Sequence, residues 1–167
     1  MRDLIQRRDK TYSEIRMAAI NDLDKIASIL LAFCYSGHRS QESQKYIQFD
    51  CVAVCMVGDD LWVAANGIGI QHEDVDKLLA MMEEQKYPFE GYVYIVTRPG
   101  QEAMHAEMKL LSELHESGMK TLYIGVTKPC CVLCKQQLDN DNIMYAQWHN
   151  QPVTGWIPPY VDKPKFV

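Results

Sequence analysis

Apolar residues recur along the chain with two periods, near 3.6 and near 2, and the changes between them mark the elements. After Asn21-Asp22, a favourable helix start, Leu23, Ile26, Ala27, Leu30, Leu31 and Cys34 follow at helical spacing, and Gly37 is placed to end the helix. Residues 1–16 before it are charged and weakly patterned, and residues 40–48 after it read as polar loop. Residues 51–57 and 61–65 are apolar and rich in β-branched side chains, and the turn chemistry of Gly58-Asp59-Asp60 between them predicts a β-hairpin. Val75, Leu78, Leu79 and Met82 predict a helix over 74–86, and the aromatic and β-branched stretch 92–97 predicts a strand closed by Pro99-Gly100. Met104, Met108, Leu111 and Leu114 form one stripe of a helix over 101–117, with Gly118 as its stop. A buried strand (122–126), a short helix opened by Pro129 (128–138) and another strand (143–148) follow. Pro152, Gly155, Pro158 and Pro159 then leave only a short extended return.

Helix and strand alternate in the second half as in an α/β domain with a mostly parallel region. At 167 residues the chain is expected to form one domain, 1–167, with an N-terminal arm or helix over 1–20 and an inserted helix-strand element over 70–100. A composition of 47% hydrophobic and 23% charged residues excludes a disordered tail or a low-complexity segment. The longest apolar run, 26–35, is ten residues, about half of what a membrane span needs. The first twenty residues carry Arg2, Arg7, Arg8, Lys10 and Arg16 with no apolar stretch behind them, so neither a signal peptide nor a membrane partner is expected. The expected site of action is cytoplasmic. The net charge of -5 argues against holding duplex DNA by bulk electrostatics. Residues 71–90 alone carry six acids against two lysines, so the remainder is close to neutral and leaves room for a locally basic groove.

Six cysteines narrow the picture further. Cys51 and Cys55 lie four apart in an apolar strand and read as small buried hydrophobes. Cys130, Cys131 and Cys134 crowd into five residues, which suits a metal site in a reducing compartment better than a disulfide framework. Cys131 and Cys134, at i and i+3 of a helix start, fit one metal ion, and His105 at the start of another helix supplies a third ligand. Three protein ligands leave a fourth tetrahedral position for water, the pattern of one catalytic Zn2+ rather than a structural one. Glu107, two residues after His105, lies where a first-turn carboxylate can take a proton from such a water and return it to a leaving nitrogen.

The sequence His105-Ala106-Glu107 followed by Cys131-Val132-Leu133-Cys134 resembles the zinc nucleobase deaminases of the cytidine deaminase-like superfamily. The resemblance implies a three-layer α/β/α fold with a mixed five-stranded sheet, the hairpin first and the last two strands antiparallel. It also implies hydrolytic attack on C4 of cytosine or C6 of adenine with loss of ammonia. One register differs: Cys130 stands between Pro129 and Cys131, where the usual motif has proline directly before the first ligand. Spacing selects Cys131 and Cys134, with Cys130 the alternative ligand if the proline fixes the register.

Free cytidine deaminases carry N-x-E-N after the second strand, whereas this chain has Asn66-Gly67-Ile68-Gly69, with only the first asparagine matching. The stretch 105–159, with Tyr123-Ile124-Gly125-Val126-Thr127-Lys128, His149 and Trp156-Ile157-Pro158, is similar to the nucleic acid/nucleotide deaminases described in fungi and bacterial polymorphic-toxin systems. That similarity implies a cytosine deaminase acting on single-stranded DNA or RNA, or on a flipped base. It further implies an effector or toxin role, with an immunity protein as partner. In its terms Asn66 contacts the sugar or base edge, the Thr127 backbone meets the exocyclic amine, and His149 and Trp156 stack on bases. For Asn66 a turn role, and for His149 and Trp156 simple packing over the sheet, are the alternatives. Two other readings stand beside the first: a deaminase of free nucleosides or nucleotides, and a non-catalytic zinc-stabilised binding module with Cys130 as fourth ligand.

Overall fold

The hairpin is the centre of the molecule in the computed structural model, which describes residues 12–35, 51–67, 70–87 and 91–159. Strands β1 (Val52–Val57) and β2 (Asp60–Ala65) pair antiparallel, with Val54 opposite Val63 and Val57 opposite Asp60. The turn between them needs the left-handed backbone of Gly58, at φ 60°. Strand β3 (Val93–Ile95) adds parallel to β2, and β4 (Ile124–Val126) adds antiparallel to β1, so the order is β3-β2-β1-β4.

Four helices are described: α1 (Tyr12–Tyr35), α2 (His72–Glu84), α3 (Ala106–Ser117) and α4 (Val132–Asn140). The period-2 alternation of the hairpin sorts them onto two faces of the sheet. Val52, Val54, Leu61 and Val63 share one core with Leu23, Ile26 and Leu30 of α1 and Leu78 and Met82 of α2. Ala53, Cys55, Trp62 and Ala64 share the other with Met108, Leu111 and Leu114 of α3 and Leu138 of α4. The result is a mixed α/β fold with a helical layer on each side of a four-stranded sheet.

Several elements differ from the sequence-based expectation. Helix α1 begins at Tyr12, and Asn21-Asp22 lies inside it, because the upstream run Glu14 to Ala19 consists largely of good helix formers that carry the helix through. Asp24, one turn on, instead reaches across to β4, where its Oδ1 accepts the Val126 N–H at 2.7 Å. The expected stop at Gly37, the loop 40–48 and the first eleven residues lie outside the described residues. Helix α4 starts at Val132 rather than near Pro129, because Cys131 takes the N-cap and the chain before it is extended beside Trp148.

The expected five-stranded sheet, with its last two strands antiparallel, is not what forms. Among the described residues the sheet has four strands, and one edge is β3 from the 70–100 insertion. The stretch 143–148 makes only two isolated parallel bridges, Met144 to Tyr123 and Trp148 to Cys130. Seven positions separate Tyr123 from Cys130 but only four separate Met144 from Trp148, so the facing chain bulges away and no ladder continues. Residues 149–159 form no strand: prolines at 152, 158 and 159 lack ladder donors, and Gly155 turns the chain at φ 70°. No described helix is long and apolar enough to cross a membrane.

Candidate metal centre

Two helix starts converge below the end of β4. His105 is the N-cap of α3, with extended backbone (φ -58°, ψ 146°), so its ring leans out from the helix end rather than along its side. Cys131 is the N-cap of α4, and its Sγ accepts the Cys134 N–H at 3.4 Å. The ligand atoms of His105, Cys131 and Cys134 all lie within 4.8 Å of one another. His105 Nδ1 stands 3.6 Å from Cys131 Sγ and 3.3 Å from Cys134 Sγ. Tetrahedral zinc bonds of about 2.3 Å to sulfur and about 2.0–2.1 Å to nitrogen imply S···N separations of roughly 3.5 Å, so this donor set fits zinc in type and spacing. Cys130, one position away, is buried but outside the cluster, and no other His, Cys, Asp or Glu joins it among the described residues.

Glu107 sits in the first turn of α3 at 4% exposure. It lines one cavity of about 200 Å³ together with His105, Cys131, Asn66, Cys51 and His149. The Cys51 Sγ–H donates to Glu107 Oε1 at 3.8 Å. Larger cavities exist elsewhere, including one of about 500 Å³ around Leu111, His115 and Leu122 at the far end of α3. That space holds no metal-ligand cluster, so chemistry rather than size selects the smaller cavity. Burial, and then the nearby Glu107 carboxylate, push the thiols of Cys130 and Cys134 above the ordinary range, although the Trp156 hydrogen bond works the other way at Cys134.

The remaining expected contacts divide. Asn66 lines the cavity, but its Oδ1 accepts the Cys51 N–H at 3.0 Å and ties the two hairpin ends together. Thr127 is bonded to β1 through both its N–H and its hydroxyl, at 3.1 and 3.0 Å to Val52; its neighbours Lys128 and Pro129 line the cavity. His149 lines it too, with Nδ1 accepting the Gln151 N–H at 3.2 Å. Trp156 packs against the α3–α4 core and donates its indole N–H to Cys134 Sγ at 3.3 Å. Cys51 is buried in the core as its apolar surroundings predicted, but sequence reasoning missed its place at the cavity wall and its contact with Glu107. Cys55 is a core residue alone, its buried thiol pushed up to about 12 by desolvation. Nothing local to Cys51 distinguishes the two.

Residues 104–160 match the family model described as OTT_1508-like deaminase. The matched stretch contains both helix starts and the return that carries Trp156, and it supports a deaminase family in the cytidine deaminase-like superfamily. No curated protein and no solved structure matches the chain.

Proposed function

We propose that this chain is a zinc-dependent hydrolytic deaminase that converts cytosine to uracil in a polynucleotide, met as a single strand or a flipped base. The observation that carries the reading is Glu107: a buried carboxylate lines the same small cavity as His105 and Cys131, two members of the His105, Cys131 and Cys134 cluster. A metal that only braced the fold would have no use for it, and burying a charge is costly unless it serves a purpose. His105, Cys131 and Cys134 would hold the zinc. When bound, zinc supplies Lewis acidity that makes water a competent nucleophile near neutral pH.

The protein's own part is proton transfer and placement. Glu107 takes a proton from the attacking water and passes it to the ring nitrogen beside C4. The remaining proton of that water, now on the hydroxyl at C4, then goes by way of Glu107 to the exocyclic nitrogen, which leaves as ammonia while C4 becomes a carbonyl. Asn66, held by Cys51, stands at the cavity wall where a sugar or base edge can be met, and His149 stands at another wall. A cavity of about 200 Å³ suits one pyrimidine and not a base pair, which favours an unpaired base. Trp148 supports a polymeric substrate. It is 45% exposed, adjoins His149, and carries the Lys135 ammonium 5.1 Å from its ring centroid. An aromatic face beside a cation is what a strand running past the cavity would use.

The small cavity is equally compatible with a free nucleoside, so the test includes both. Purified protein and Glu107→Ala are offered single-stranded DNA, duplex DNA, RNA and free nucleosides, with products read by mass spectrometry. Uracil appearing in a polymer, and falling at least about a hundredfold in the variant, is the expected result. Conversion of free nucleosides alone would transfer the case to the second reading. Zinc binding without turnover of any substrate would favour the binding module.

A further inference from the structure

The two cysteine sulfurs of the cluster are held by different donors. Cys131 Sγ accepts a backbone amide from its own helix, the N–H of Cys134 at 3.4 Å. Cys134 Sγ accepts the indole N–H of Trp156 at 3.3 Å, from a segment 22 residues further along the chain. Indole nitrogen is a donor only, and a buried indole N–H goes to a partner; here the partner is a candidate metal ligand. Apolar cover alone does not require this. Val153 and Ile157, from the same return, pack against the same core with no polar atom to place.

Charge explains why a neutral donor suits the position. When two thiolates hold a divalent cation, a donor on each sulfur draws charge off them and keeps the metal electrophilic. An indole N–H supplies that hydrogen bond without adding a charge to the site.

We propose that Trp156 is a positioning residue of the metal centre: its N–H tunes Cys134 as a ligand and couples the ordering of the 149–159 return to metal occupancy. The inference rests on the reading that His105, Cys131 and Cys134 hold a metal. The same return carries His149 to the cavity wall, so loading the metal also steadies a residue placed to meet substrate.

Cobalt(II) titration of the full chain tests this without reference to turnover. The wild type is expected to take up one cobalt with a thiolate-to-cobalt charge-transfer band. Trp156→Phe keeps the aromatic packing and removes only the donor. Its cobalt affinity should fall about tenfold, and its band should move to lower energy as the sulfur lone pairs are released. In the 15N-labelled wild type, the Trp156 indole N–H resonance should shift on metal loading, a readout independent of how well the variant folds. Unchanged affinity and band energy in Trp156→Phe, or an indole resonance that ignores the metal, would reduce Trp156 to packing and overturn the proposal. A wild type that binds no cobalt would instead overturn the metal-centre reading itself.

Discussion

The two faces of one hairpin have been given different work, and their side chains differ accordingly. Towards α1 and α2 the strands present Val52, Val54, Leu61 and Val63, with Ala65 the one small residue. Towards α3 and α4 they present Ala53, Cys55 and Ala64, with the larger Val57 and Trp62 near the turn. Bulk on the first face fills space between elements that only need to stay together. Small residues on the second let α3 lie close against the sheet, and α3 carries His105 at its cap and Glu107 in its first turn. Polar burial is heavier on the second side, although Asp74 of α2 is fully buried on the first, beside Cys34 of α1. Glu107, Lys109 and Ser112 are all buried on α3, with the Ser112 hydroxyl returning to the Met108 carbonyl at 2.8 Å and Lys109 Nζ donating to the Gly67 carbonyl at 3.2 Å. Burial pulls the Lys109 ammonium pKa down, although Glu102 nearby opposes the shift. The first side buries one carboxyl among apolar side chains, whereas the second holds three polar side chains of α3 where water would otherwise be cheaper for them.

The largest expected effect breaks the second face at its candidate metal cluster. Cys131→Ala should lose zinc and turnover together, and its Tm should match that of the chelator-treated wild type, because metal binding energy is folding energy. Cys130→Ala should retain one zinc by elemental analysis, since its sulfur stands outside the cluster. Zinc lost from Cys130→Ala and kept in Cys131→Ala would mean that the ligand register is shifted by one.

The opposite face should respond in stability alone. Leu30 is fully buried among α1, α2 and the hairpin. Leu30→Ala is therefore expected to cost about 2–5 kcal/mol in denaturant unfolding. Cobalt affinity and kcat of the folded fraction should stay within about twofold of wild type, because none of the residues lining the cavity belongs to that core. A large change in kcat would show that the two faces are coupled and not divided.

What was legible in the sequence follows from how local each signal is. The hairpin announced itself through two apolar, β-branched runs around the Gly58-Asp59-Asp60 turn, and the two strands do pair antiparallel. The grouping of His105, Cys131 and Cys134 was legible from C-x-x-C at one helix start and a histidine at another, and the structure brings these three side chains together as a cluster that could hold a metal ion. Cys51 was not legible, because its contact with Glu107 joins positions 56 apart through the packing of α3 on β1. Trp156 read as stacking or packing for the same reason: only the folded return brings its N–H to Cys134. The missing fifth strand has another cause. Residues 143–148 have strand composition, but a ladder needs a partner in step, and the chain around Pro129 is out of step with them.

The smallest effect is the most discriminating. Ala64 and Val63 are adjacent, both fully buried, and point to opposite faces of β2. Ala64→Leu and Val63→Leu each add bulk to a close-packed layer, and each is expected to cost about 1–3 kcal/mol. At equal cost to unfolding, Ala64→Leu should lower kcat by at least tenfold, because pushing α3 outward by a fraction of an ångström moves Glu107 from its proton-transfer position. Val63→Leu should leave kcat within about twofold, since α1 and α2 can shift without disturbing the cavity. Paired unfolding and turnover measurements on the two variants check this. Equal losses of kcat would mean that side-chain size on the hairpin sets packing only, and that the small residues facing α3 have no part in placing its carboxylate.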